Sequence, residues 1–219
     1  LRRSPAPRFK RTPVNDQDVN SQVIIKEFFN KLMEAVEDLN KYERAAPSYL
    51  VFADSTAWLP EKVDAVLTSP PFANNVDYVR HTQLYLLWMG ISERKLGKLR
   101  DLQMPACEAA ARKWKPFLNE PWGTRYVSEI KGKRERGYRR FLLQYLYAMD
   151  RHFKLLAERL EWEAWYTVGD SILGGKYIPT HEFLAKLARK HKFKVKLSPL
   201  GNRQKQGLKL YLLRLRIVS

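Results

Sequence analysis

The ten residues Val63-Asp-Ala-Val-Leu-Thr-Ser-Pro-Pro-Phe72 decide how the rest of the chain is read. Residues 63–68 are short, apolar and partly β-branched, the pattern of a strand. Pro70 and Pro71 end it, because a proline has no N–H to give to a ladder. A polar turn therefore sits at the carboxyl end of a buried strand, where open α/β sheets hold their ligands. Ser69 brings a hydroxyl acceptor. Pro70 and Pro71 stiffen the loop and leave nearby carbonyls free, and Phe72 presents a flat apolar face. This set suits a planar group with an exocyclic amine: oxygens take its two protons while the ring stacks below. The lone pair of a nucleobase amine is delocalised into its ring, which makes the amine a poor nucleophile. Acceptors fixed around the N–H bonds favour the tetrahedral form, and orientation and fixed dipoles supply most of that effect. No general base with a tuned pKa is strictly required.

Outward from this turn, the spacing of apolar residues predicts helices and strands in alternation. Ile24, Phe28, Leu32, Val36 and Leu39 recur at steps of three and four, giving a helix over 21–42 with one buried stripe, capped by Asn20 or Ser21. Residues 48–53 (SYLVFA) read as a strand, and 79–89 as a helix after the proline turn. The clearest helix is 138–160, with one stripe from Tyr138 through Tyr145 to Leu160 that is core packing and gives no sign of a cofactor. A strand over 163–168, halted by Gly169, leads to a helix capped by Thr180 that runs to about His191, with Glu182 in its first turn. Residues 193–197 and 209–217, joined through Gly201 and Gly207, read as an antiparallel hairpin. The alternation points to an α/β sheet with a modified edge.

Charge is segregated along the chain. Of 219 residues, 40 are Lys or Arg and 23 Asp or Glu, a net charge of +17, yet residues 14–93 hold six bases against twelve acids. The excess lies in 1–13 (+5), 94–140 (+9) and 186–219 (+11). Basic blocks beside an acidic body suit a phosphate-facing surface and a polyanion partner better than mere solubility does. Across 112–138, Trp114, Trp122, Tyr126 and Tyr138 interleave with Arg112, Lys113, Arg125, Lys131, Lys133, Arg134 and Arg136. That mixture suits phosphate contact with base stacking, or else aromatics packed under basic loops. Cys107 alone excludes a disulfide scaffold or a cysteine-rich zinc site and fits a reducing compartment, the cytoplasm. His81, His152, His181 and His191 lack metal-ligand spacing and read as surface or helix-end residues, so no metal is expected. No run reaches the roughly 18 apolar residues of a membrane span, and no apolar stretch follows the basic N-terminus, so neither a membrane nor a secretory signal is expected.

Four places resemble the amino-group DNA methyltransferases, which transfer methyl from S-adenosylmethionine to N4 of cytosine or N6 of adenine. Thr68-Ser-Pro-Pro-Phe72 resembles the catalytic loop in the form more usual for N4-cytosine enzymes, and Ala53-Asp54-Ser55 the acidic turn at the cofactor's adenine. Asn75-Val-Asp-Tyr78 and the helix to Trp88 are similar to the segment after the catalytic loop. Val168-Gly-Asp-Ser171, followed by 178–184, is similar to the later strand, turn and helix, where the family more often has Asn than Asp170. The resemblance covers most of 48–216 and implies a Rossmann-like sheet with a C-terminal hairpin. It implies catalytic roles for Ser69, Pro70, Pro71 and Phe72, cofactor contacts at Asp54, Ser55, Thr68 and Ser69, and nucleic-acid contacts at Asn75, Asp77 and Tyr78 beside the cations named above. It divides the chain into a basic arm (1–19), a partial catalytic domain (20–91 and 138–219) and an inserted region for target recognition (92–137).

The family's Phe-x-Gly-x-Gly loop, which binds the methionine end of the cofactor, is absent from the ten glycines here. The expectation is a sheet incomplete on its N-terminal side and a split enzyme completed by a second polypeptide, with a truncated chain as the plainer alternative. The substrate expected is a flipped base in duplex DNA, with restriction–modification as one setting. RNA base methylation, by enzymes with a related loop, and a catalytically silent nucleic-acid-binding subunit are the alternatives.

Overall fold

A computed structural model of the chain describes residues 21–41, 49, 51, 53–112, 114–203 and 207–217. It falls into two compact units, residues 1–52 and 53–219, each considered by itself. In the first, α1 (Ser21–Lys41) matches the helix expected there, and its stripe residues Phe28, Leu32, Val36 and Leu39 are exposed. The basic arm and the capping residue Asn20 lie outside the described residues.

The second unit is an α/β structure with a mixed sheet. Its elements run β1 (Val63–Thr68), α2 (Tyr78–Trp88), α3 (Glu93–Leu102), α4 (Glu108–Ala111), α5 (Pro121–Ser128), α6 (Glu135–Ala157), β2 (Leu160–Gly169), β3 (Ser171–Leu173), β4 (Lys176–Ile178), α7 (Thr180–Lys190), β5 (Phe193–Asn202) and β6 (Lys209–Ile217). The four-stranded sheet has the order β1-β2-β6-β5. β1 and β2 are parallel, joined by the helical crossover that such a pair needs. β6 lies antiparallel between β2 and β5 and closes the sheet as a hairpin. β3 and β4 form a separate small hairpin.

The core forms against one sheet face. Phe141, Leu142, Tyr145, Met149, Phe153 and Leu156 of α6, with Leu184 and Leu187 of α7, meet Ala164, Tyr166, Val168, Leu213 and Leu215 of the strands. Each large side chain removed from water there contributes on the order of 2 kcal/mol. The other face carries Glu163, buried between Arg214 (Nε–Oε1 2.8 Å) and Arg216 (Nη2–Oε2 3.1 Å). The hydrogen bond from Arg214 is the main cause that holds the Glu163 carboxyl below its ordinary value of 4.5. A carboxyl with a depressed folded pKa stabilises above its unfolded value and loses that contribution as pH falls through it. Glu163→Gln should therefore lower the unfolding free energy at pH 7 by about 1–2 kcal/mol given the partly solvated arginines, read as a lower urea midpoint. Urea titrations should show the gap between wild type and variant narrowing below pH 4.5.

Four expectations need correction. Tyr49, Val51 and Ala53 are not in a strand, and the rest of 48–53 lies outside the described residues. Tyr49 and Val51 are exposed, and a strand without a ladder partner has nothing to stabilise it. Thr180 does not cap α7: the Pro179 carbonyl accepts from the Glu182 and Phe183 N–H groups, and the Thr180 hydroxyl turns back to the Ile178 carbonyl. Helix α6 starts at Glu135, ahead of the expected 138, and includes Gly137. A Cβ there would collide with the Glu108 carboxylate, so the glycine serves close approach. The β3–β4 hairpin was not expected, although Gly174 and Gly175, both at positive φ (56° and 80°), carry the signal of its tight turn.

Candidate active site

The proline turn leaves β1 where β1 and β2 run side by side, with Thr68 in register with Tyr166. Ser69 is exposed, and its hydroxyl donates a long hydrogen bond (3.4 Å) to the Thr167 carbonyl of β2. Its only proton thus points into the sheet, so the oxygen's lone pairs are what it offers a ligand. Pro70, Pro71 and Phe72 are half-buried, and Ala73 is sunk in the core and anchors the turn. The Phe72 ring lies so close to β2 that a Cβ on Gly169 would be 2.9 Å from its Cε2 and 3.0 Å from its Cδ2. Over the ring stands the guanidinium of Arg203, its Cζ 4.9 Å from the centroid.

The residues after the turn hold the backbone. Asn75 takes a left-handed conformation (φ 59°), which Asn tolerates well, and faces α4. Its Oδ1 accepts from the Glu108 N–H at 2.7 Å, and its Nδ2 donates to Glu108 Oε2 at 3.1 Å. Asp77 caps α2 by accepting from the Arg80 N–H (3.0 Å) and pairs with Arg100 (2.9 Å). Tyr78 opens that helix, partly exposed. The polar groups of Asn75 and Asp77 are thus engaged within the protein, which ties the proline turn to the 92–137 region.

Asp54 forms a turn, its Oδ1 accepting from the Thr56 N–H at 2.9 Å. The next residue fastens the turn: the Ser55 carbonyl lies 2.9 Å from His152 Nδ1, and His152 Nε2 lies 2.6 Å from the Tyr166 hydroxyl. A carbonyl can only accept, so Nδ1 carries the proton and Nε2 accepts from tyrosine. Burial pushes the His152 pKa down and keeps this neutral form. The acidic turn is thereby linked to the strand position opposite Thr68. His152 is a buried connector, not the surface residue expected.

Asp170, just beyond β2, is fully buried. Its carboxylate accepts from the Tyr177 hydroxyl (2.5 Å) and from His181 Nδ1 (2.6 Å), while its carbonyl accepts from Arg203 Nη1 (2.5 Å). His181 in turn stacks on Tyr211 at 3.7 Å. His181 sits in the first turn of α7, the helix-end place expected, but is buried there. Among the described residues no group of three or more His, Cys, Asp or Glu is placed to hold a metal ion.

Forty-one residues match a methyltransferase. They are 46% identical to the type II methyltransferase M.BsoBI of Geobacillus stearothermophilus and make up 19% of this chain. The match spans 8% of that relative's length. No protein-family model matches the chain, and no solved structure does.

In the 92–137 region Trp114, Trp122 and Tyr126 are half-buried against the protein, while Phe117 is exposed. Trp122 and Tyr126 meet Phe183 (5.2 and 4.7 Å between ring centroids), and the Trp114 indole donates to the Gln103 carbonyl. Burial raises the Tyr126 hydroxyl pKa to about 12. Arg112, Arg125, Lys131, Lys133, Arg134 and Arg136 remain exposed, and Arg134 pairs with Glu108 at 3.6 Å. Lys113 lies outside the described residues. No described helix is long and apolar enough to cross a membrane. Sequence reasoning missed Arg203, His152 and His181, whose partners are distant in the chain. The glycine before Asp170 was the one readable trace, as a strand end pressed against another residue.

Proposed function

We propose that the chain is the later half of a Rossmann-like, S-adenosylmethionine-dependent methyltransferase that acts on an exocyclic amine of a flipped base in DNA, N4 of cytosine first. The observation that carries this is the Ser69–Phe72 turn: an exposed hydroxyl whose proton is committed to Thr167, two N–H-free prolines and a ring edge at the carboxyl end of a parallel strand. The local match to a type II methyltransferase supports it.

In this reading the Ser69 oxygen and the Pro70 carbonyl accept the two amine protons and turn the lone pair out of the ring plane, while Phe72 stacks on the base. The residues present fit the adenosine side of the cofactor. Asp54 spends one carboxylate oxygen on its own turn and would offer the other to a ligand, with Ser55 next to it and Thr68 at the end of β1 as the further contacts of this reading. When bound, the cofactor supplies an electrophilic methyl group on a sulfonium. The exposed cations of 92–137 hold phosphates and place the target.

The methionine end needs a second polypeptide carrying the Phe-x-Gly-x-Gly loop. Support for that partner is the state of β1: among the described residues it pairs on one side only, and Leu67 is 84% exposed. Leu67 is in register with Trp165, whose ring meets the exposed Trp162 at 5.1 Å. Parallel strands are normally covered on both faces.

The test is methyl incorporation from labelled S-adenosylmethionine by the chain together with its completing polypeptide, on unmethylated DNA and on structured RNA. Label recovered as N4-methylcytosine from DNA is the expected result. Label in RNA alone moves the substrate to RNA, and no label in either leaves only the silent nucleic-acid-binding role.

A further inference from the structure

We propose that Arg203 gates the Phe72 platform: its guanidinium occupies the place over the ring that an incoming base must take, and the base has to displace it. The proposal rests on the reading above only in taking Phe72 as the surface on which the substrate ring stacks.

Four contacts define the gate. Gly169 lets one side of the Phe72 ring press onto β2, and Leu210 sits close by, 3.2 Å from where a Cβ on that glycine would lie. The ring is therefore fixed and cannot turn away to offer another surface. Arg203 stands over it at 4.9 Å, within the range of a cation–π contact. The backbone of Arg203 is pinned at the mouth of the β5–β6 hairpin, its N–H donating to the buried Leu208 carbonyl at 2.8 Å. The guanidinium is steadied by the Asp170 carbonyl, itself held in the buried cluster with Tyr177 and His181.

The strength of the hold matters. Among the described residues Arg203 has no ion pair with a carboxylate, so only a carbonyl dipole and an aromatic face retain it. Such a contact keeps water off the ring in the empty protein, yet a nucleobase offering a whole stacked face can replace it. A planar, apolar ring is admitted; a group that stacks poorly is not. Arg203 is thus a positioning and selecting residue and takes no part in the bond-making step.

The test measures affinity of the full chain for a single-stranded oligonucleotide carrying a fluorescent cytosine analogue, and for the same oligonucleotide with an abasic site there. The ratio of the two affinities isolates the base from the phosphates, which both probes share. Phe72→Ala should lower this ratio about fivefold or more, the range of one base–aromatic stack. Arg203→Ala should raise it about twofold to fivefold, the range of the contact removed. Arg203→Met, which keeps the aliphatic stem, should raise the ratio as Arg203→Ala does, which separates loss of the guanidinium from loss of packing in the hairpin. Arg203→Lys should stay near wild type, and in the Phe72→Ala background Arg203→Ala should change nothing. A ratio that falls or stays constant in both Arg203→Ala and Arg203→Met, while Phe72→Ala lowers it, overturns the gate and leaves the platform standing. A ratio indifferent to Phe72→Ala removes both.

Discussion

Replacing Ser69 with alanine is expected to lower methyl transfer about 100- to 1,000-fold, the usual cost of deleting one fixed group that stabilises a transition state. DNA affinity should stay within about twofold, since phosphate contacts dominate binding and Ser69 makes none in this reading. The expectation follows from where the hydroxyl points. Its proton goes to the Thr167 carbonyl, so alanine removes an acceptor and leaves no charge or cavity behind. The side chain is also exposed, which keeps stability nearly unchanged. Initial rates of methyl incorporation, paired with DNA binding by anisotropy, separate the two effects. Equal loss of both would mean that Ser69 supports the turn, and normal incorporation would exclude it from the chemistry. Pro70→Ala should likewise reduce the rate, because an added N–H and a softer loop disturb the neighbouring acceptor.

The second large effect is expected at Leu67. Changing it to arginine should weaken assembly with the completing polypeptide about 30-fold or more, as for a central apolar anchor of an interface. Methyl transfer by the mixed halves should fall in proportion and return as the partner concentration is raised. The chain alone should unfold at nearly the wild-type temperature, because this side chain is already 84% exposed and loses no internal packing. Trp162→Ala, on the same apolar patch, should act in the same direction with a smaller effect. Co-purification and sedimentation velocity measure the assembly, and differential scanning calorimetry checks the chain by itself. Undiminished assembly of Leu67→Arg would place the interface elsewhere.

The parts legible in sequence were those whose cause is local. The stripe through Phe141, Tyr145, Met149 and Phe153 marks α6, because helical spacing and burial are one pattern seen twice. The Ser69–Phe72 turn could be read because prolines end a strand wherever they stand. The apolar run near Tyr49 misled because a strand is defined by its neighbour, and the run itself says nothing about having one. His152 looked like a surface residue on α6, yet its carbonyl partner, Ser55, is 97 residues away. Asp170 read as a turn residue, and only the folded chain brings Tyr177, His181 and Arg203 to it. Nucleic-acid contacts at Asn75 and Asp77 are implied only by the family resemblance, and their packing within the protein is not legible in the sequence. Their partners, Glu108 and Arg100, come from helices that sequence spacing does not bring near.

The edge of β1, which among the described residues pairs on one side only, has a consequence for synthesis as well as for catalysis. A strand edge beside exposed leucine and tryptophan is what holdase chaperones bind and what nucleates strand-to-strand aggregation. If the proposed split holds, a chain of this kind is safest when its counterpart emerges from the ribosome nearby and in matching amounts. Under that proposal any surplus would be left to quality-control proteases, and the supply of the scarcer half would set how much of the assembly accumulates.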